Sequence, residues 1–260
     1  QKHSLQNSEL LVGFSGGIDS TALLLALHLL QKNIRAVHFQ HGIRGKTAEA
    51  EANWCRAFCH KKNIPFTCIH LAVPENVLPG ETLEEAARRL RLENWHKLCA
   101  HSSKPIFLGN HADDCLEELL IRLARGSNSS GLTGLRPIRQ LGELILYRPL
   151  LSFPKKELEA FLFAEGVTEH CYDASNIDNQ FRRNAVRNII LPEFERVFGT
   201  LKGMRQAQRT LLQDAYYLEE LAEKSMQGIE TLDSWRALPA ALFPRVLRLW
   251  FNKNAGFDMP

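Results

Sequence analysis

Six residues, Ser15-Gly16-Gly17-Ile18-Asp19-Ser20, stand between the apolar run Leu10 to Phe14 and a helix-like run from Thr21 to Leu30. Two adjacent glycines let the backbone turn tightly and approach a ligand, and the free N–H groups that open the helix face an anion. The segment therefore reads as a phosphate loop. It has neither the Gly-Lys-Ser/Thr ending of a Walker loop nor a G-x-G-x-x-G dinucleotide fingerprint. Asp19 adds a carboxylate where phosphate would otherwise be repelled, which suits a bridging Mg²⁺. A second group, Gly109-Asn110-His111-Ala112-Asp113-Asp114-Cys115-Leu116-Glu117-Glu118, also runs from a short apolar stretch into a helical pattern. Asp114 and Glu117 are three apart, so they share a helical face in a first turn whose dipole favours anions. Asp19 and Asp114, from separate loops, are a sensible pair to hold Mg²⁺ against phosphates.

The elements that must position these groups alternate. Leu10 to Phe14, Ile34 to Phe39, Pro65 to Val73, Pro105 to Leu108 and Leu144 to Leu151 read as strands, each brief, apolar and bounded by turn or polar residues. Thr21 to Lys32, Ala48 to Lys62, Thr82 to Ala100, Asp114 to Arg125 and a segment opened by Pro154 and running to about Glu165 have helical spacing. The alternation predicts an α/β fold, a parallel twisted sheet with helices on both faces. Ligands bind such sheets at the C-terminal ends of the strands, where loops starting at Ser15, Gln40 and Gly109 converge. From about Leu191 the pattern becomes helical, with long amphipathic stretches over Leu201 to Met226 and Trp235 to Asn252. Residues 1–200 are read as the catalytic domain and 201–260 as a smaller all-helical domain.

Composition limits the alternatives. With 45% hydrophobic and 23% charged residues, the 260-residue chain has the make-up of an ordinary globular protein. No stretch approaches the roughly 20 apolar residues of a membrane span, and the start lacks the features of a signal peptide. A cytoplasmic, non-membrane protein is expected. The six cysteines, Cys55, Cys59, Cys68, Cys99, Cys115 and Cys171, form no C-x-x-C pair, so neither a zinc site nor a disulfide framework is expected. A net charge of +3 is too small to diagnose nucleic-acid binding.

The Ser-Gly-Gly-x-Asp-Ser loop after a first strand resembles that of the N-type ATP pyrophosphatases, which split ATP into AMP and pyrophosphate to activate a carbonyl oxygen. The second group resembles the Gly-His-His-x-Asp-Asp-x-x-Glu-Thr signature of the tRNA(Ile)-lysidine synthases. Asn110 and Glu118 depart from it, while His111, Asp113, Asp114 and Glu117 match. Further matches are His38-Phe39-Gln40-His41-Gly42-Ile43-Arg44, Glu85 to Arg91, the glycine-containing Arg125 to Gly134, Arg148-Pro149-Leu150-Leu151, Asp173-Ala174-Ser175-Asn176 and Arg183 to Asn188.

The resemblance implies ATP and Mg²⁺ as cofactors, with Ser15, Gly16, Gly17, Ile18, Asp19, Ser20, His38 and His111 on the nucleotide and Asp19 and Asp114 on the metal. Arg88 or Arg91 is the candidate to offset charge on the transferring phosphoryl group, a task suited to a permanently ionised planar guanidinium. Glu117, Arg125, Arg148, Asn176, Arg183 and Arg187 are the candidates for contacts to substrate. The Arg125 to Gly134 segment reads equally as a flexible loop after a helix and as a mobile substrate gate. The implied partners are the CAU-anticodon tRNA(Ile) and free L-lysine, with a homodimer left open and no membrane. The implied reaction is a carbon–nitrogen ligation that gives lysidine, AMP and pyrophosphate. In that family the helical part continues into further C-terminal modules, so this chain is expected to be incomplete. Rival readings are a tRNA-modifying pyrophosphatase that inserts sulfur at a cytidine, which would need reactive cysteines, and a nucleotide- or RNA-binding homologue without turnover.

Overall fold

A computed structural model describes residues 8–43, 45–100, 104–171, 182–229 and 231–255. By contacts the chain divides into two compact units, Gln1–Glu117 with Leu135–Ile189, and Glu118–Gly134 with Ile190–Pro260. The sequence reading placed a single boundary near Leu201.

In the first unit, strands and helices alternate as β1 (Leu10–Gly13), α1 (Ile18–Leu29), β2 (Ile34–Gln40), α2 (Lys46–Lys61), β3 (Phe66–His70), α3 (Leu83–Cys99), β4 (Ile106–Phe107) and the first part of α4 (Ala112–Ala124), whose residues from Glu118 on fall in the second unit. The short helix α5 (Ser129–Leu132) lies in the second unit. The first then resumes with β5 (Ile138–Leu141), β6 (Leu144–Tyr147), α6 (Lys155–Ala164), the single turn α7 (Arg182–Ala185) and a π-helical turn over Val186–Ile190. The six strands lie in the order β3-β2-β1-β4-β6-β5. All neighbours are parallel except the β5–β6 hairpin. The order reverses between β1 and β4, which opens a crevice above the carboxyl ends of those two strands.

Successive residues of a strand point to opposite faces, and β1 is apolar on both. Leu10, Val12 and Phe14 pack with Leu23, Leu24, Leu158 and Leu162, whereas Leu11 packs with Val37, Trp95 and Ile106. This double burial explains why the central strands read as apolar runs. It also fixes where β1 ends, since Ser15 leaves the core and is exposed.

Several expected boundaries differ. The third strand stops at His70 because Ala72 adopts a left-handed φ of 46° and a 3-10 turn containing Pro74 begins at Val73. The strand read as Leu144 to Leu151 ends at Tyr147, where Pro149 starts another such turn. Strand β5 was not foreseen. Its residues are mostly exposed and show no apolar run, and only the hairpin through Gly142, with φ at 57°, pairs it to β6. Pro154 caps α6 from outside rather than standing within it.

In the second unit α8 (Leu191–Phe198), α9 (Lys202–Met226), α10 (Leu232–Arg236) and α11 (Phe243–Ala255) follow α5. The single helix read over Trp235 to Asn252 is thus two, separated by a segment that contains Pro239. Ala222, Leu242 and Val246 form a small core with Leu218, Trp235 and Leu249 around it. Gln208 on α9 donates to the Thr133 carbonyl at 2.9 Å, which ties residues before β5 to the later helices. Among the described residues no helix is long and apolar enough to cross a membrane.

Candidate active site

The phosphate loop is built largely from its own backbone and hydroxyls. Gly16 has φ at 84°, and a β-carbon there would stand 2.7 Å from Cys171 Sγ and 2.9 Å from Cys55 Sγ, so only glycine fits. Cys171 N–H donates to the Gly16 carbonyl at 2.9 Å. The Ser20 hydroxyl donates to Gly17 O at 3.1 Å and accepts from Ser15 N–H at 3.2 Å. Helix α1 begins after Gly17 with no capping side chain, which leaves its first-turn N–H groups for an anion. His38 is placed beneath this loop. Its Nδ1 lies 2.9 Å from the Phe14 carbonyl, and since a carbonyl only accepts, Nδ1 carries the proton. Burial holds the His38 pKa below its usual range, against the opposing pull of that hydrogen bond. His38 anchors the strand end that enters the loop.

The second loop is pressed onto the first. A β-carbon on Gly109 would lie 2.9 Å from the carbonyl carbon and oxygen of Asp19, so main chain meets main chain. His111, which follows, is 3% exposed, with Nε2 at 3.5 Å from Asp19 Oδ1 and 3.9 Å from Asp114 Oδ2. The Asp113 N–H donates to His111 Nδ1 at 3.2 Å, so the proton of the neutral ring sits on Nε2, towards the acids. Burial alone would lower the His111 pKa, but Asp19, Asp114 and Asp113 outweigh it and raise the value.

Asp114 and Glu117 share a face of α4, as expected, and both are buried. Each is met by two arginines from the helical segment after residue 181. Arg183 donates from Nε to Glu117 Oε2 at 2.8 Å and from Nη2 to Asp114 Oδ1 at 2.9 Å. Arg187, in the π-helical turn, donates from Nη2 to Glu117 Oε2 at 3.0 Å and to Asp114 Oδ1 at 3.3 Å. Such turns are frequent at functional sites. Burial pushes the Asp114 pKa up, yet His111, Arg183, the His111 N–H and Arg187 together hold it below the usual range. Asp113 turns away and accepts from the Lys155 N–H at 3.0 Å, at the start of α6.

Other candidates fall elsewhere. Arg148, directly after β6, is buried and reaches Asn110 rather than an acid. Arg88 and Arg91 lie exposed on α3, and among the described residues neither makes a hydrogen bond or ion pair. Arg125 is exposed in the second unit. Asn176 and Arg44 lie outside the described residues. The segment read as a flexible loop or gate is folded in part as α5, with Asn128 as its cap, and is held by Arg122 on the Gly131 carbonyl and Arg245 on Ser129. Asn110, set aside because it departs from the signature, turns out to bridge Arg148 and Asp114. An amide that both accepts and donates, between a loop glycine and an acid, was the available signal.

Asp19 Oδ1 is buried with no hydrogen bond of good geometry, the nearest donor being His111 Nε2 at 3.5 Å. That donor set fits a hard cation such as Mg²⁺. Both oxygens of Asp114 already accept hydrogen bonds. Among the described residues no group of three or more His, Cys, Asp and Glu side chains forms a cage, so an ion here would draw further ligands from phosphate and water.

The PP-loop domain family matches residues 1–194. The chain is 32% identical to the tRNA(Ile)-lysidine synthase of Pseudomonas putida, over 94% of this chain and 60% of that one. It is 34% identical to the enzyme of the same name from Chromobacterium violaceum, over 85% and 51%. With that of Bacillus subtilis the identity is 29%, over 90% and 51%. The resemblance read from the motifs thus extends across most of the chain, which spans about half to three fifths of the length of these relatives. Among solved structures, a U34-tRNA thiolase from Methanococcus maripaludis shares the fold, with a TM-score of 0.60 and 15% identity over 89% of this chain and 77% of that one.

Proposed function

The chain belongs to the PP-loop family, which implies use of ATP, and from that premise we propose that it carries out the chemistry of a tRNA(Ile)-lysidine synthase. In the first step O2 of the wobble cytidine in the CAU-anticodon tRNA attacks the α-phosphorus of ATP, and pyrophosphate leaves. In the second the ε-amine of free lysine attacks C2 of the adenylated base, forms the carbon–nitrogen bond and expels AMP.

The observation that carries this reading is the contact of Gly109 with the Asp19 main chain at the switch point between β1 and β4. It joins the loop suited to a leaving pyrophosphate to the loop that holds the acids. Ser15, Gly16, Gly17, Ile18 and Ser20 bind the phosphates through N–H groups and hydroxyls. Asp19, with Asp114 where it gives up a donor, would hold Mg²⁺, which offsets phosphate charge when bound. Glu117 takes the lysine ammonium once Arg183 and Arg187 release it, and the freed arginines turn to substrate phosphate. Arg88 or Arg91 meets the bound substrates from α3. Reactivity rests on positioning and electrostatics, with no protein nucleophile.

The test is incubation with ATP, radiolabelled lysine and CAU-anticodon tRNA(Ile). AMP release with label in the tRNA is the expected result. Tight tRNA binding without AMP release, or sulfur incorporation instead of lysine, overturns the reading.

A further inference from the structure

Arg148 poses an electrostatic problem. Its side chain is buried at 7% exposure, yet among the described residues no carboxylate pairs with it. Its Nε donates to Asn110 Oδ1 at 3.1 Å and its Nη1 to the Arg136 carbonyl at 3.1 Å. A guanidinium has five N–H donors, so three are left over among the described residues. A buried cation normally has a counter-ion, since leaving it uncompensated is costly. The nearest candidate, Asp114, is kept from it by Asn110, whose Nδ2 donates to Asp114 Oδ2 at 3.3 Å. Only one orientation of the amide satisfies both neighbours, because the guanidinium only donates and the carboxylate only accepts. The pair stands at the ligand edge of the sheet, Asn110 beyond β4 and Arg148 beyond β6, on adjacent strands.

We infer that Asn110 is a positioning residue that separates Arg148 from Asp114 and so keeps the Arg148 guanidinium open as a receptor for a phosphate group. Without the amide between them, Arg148 would pair with Asp114 and its charge would be lost to substrate. Burial and the neighbouring Arg139 both hold the Arg148 pKa below its ordinary value, as an uncompensated cation requires. The phosphate belongs to ATP or to RNA. The inference deepens the proposed function, and it rests on that reading only for the choice of these two ligands.

Asn110→Asp is nearly isosteric, but its carboxylate would pair with Arg148 and repel Asp114. Asn110→His keeps one donor and one acceptor. These variants and Arg148→Gln are titrated with ATP alone and with tRNA transcript alone, without lysine, so lack of lysine ligation by the wild type leaves the measurement intact. Asn110→Asp and Arg148→Gln should weaken one ligand about tenfold, and Asn110→His should restore binding to within about twofold. A loss confined to ATP identifies the nucleotide as the source. A loss confined to tRNA, with the slope of log affinity against log salt reduced by about 1, identifies RNA. If Asn110→Asp does not fold, Arg148→Gln and Asn110→His carry the test. A folded Arg148→Gln that binds both ligands with wild-type affinity overturns the inference, as does Asn110→His losing as much as Arg148→Gln.

Discussion

The phosphate loop and the acid–arginine cluster are neighbours made on opposite plans. Residues 15–20 are held by short hydroxyls and main chain, and their outward N–H groups need no rearrangement to receive an anion. Asp114 and Glu117 are held by Arg183 and Arg187, so the chain itself occupies the positions a cationic ligand would take. One half of the site is ready before its ligand arrives, and the other must be vacated. A neutralised buried cluster folds without strain, but each incoming charge has to replace one already there.

The contrast can be broken from either side. The largest effect is expected from removing both arginines. With Arg183→Ala and Arg187→Ala together, Glu117 stays buried and loses both guanidinium partners, and stability should fall by about 3–5 kcal/mol, read by urea unfolding. Adding Glu117→Gln should recover much of the loss, and no recovery would show that the arginines act through packing instead. Next, Asp19→Asn should reduce AMP release about 100-fold or more with little change in unfolding midpoint, and unchanged turnover would refute the metal role of Asp19. Gly109→Ala sharpens the comparison, because its methyl group forces the two loops apart. Overpacking of this kind costs about 1–3 kcal/mol, and nucleotide affinity should fall with stability.

The smallest effect concerns the support beneath the phosphate loop. The folded pKa of His38 lies below the unfolded value, chiefly through burial. Its contribution is therefore in full above the unfolded pKa, about 6.5, and is lost as pH falls through the folded value. Thermal midpoints should decline modestly as the medium is acidified below that point, and His38→Gln should flatten that limb of the profile. An unchanged slope would remove His38 from the account.

What was legible in the sequence follows the same division. The loop Ser15 to Ser20 could be read because its requirements are local: glycines for a turn, a helix start, one acid. Strands β1 and β4 could be read because burial on both faces leaves them apolar, whereas β5 is largely exposed, half polar and defined by its partner alone. The pairing of Glu117 with Arg187 spans 70 residues, and no local pattern announces it. Arg183 and Arg187 were read as contacts to substrate, yet here they meet buried acids of the chain itself. Arg88 and Arg91 were assigned by likeness, and the described structure gives them exposed positions without bound partners.

The contact of Gly109 with the Asp19 carbonyl also bears on redesign. Because main chain sets the spacing of the two loops, exchanging the charged side chains that line the crevice alters charge and shape but leaves that spacing as it is. Efforts to admit a bulkier or longer phosphate donor would gain little from the acids and arginines. They would have to change loop length, by inserting a residue between β4 and His111 or between β1 and Asp19.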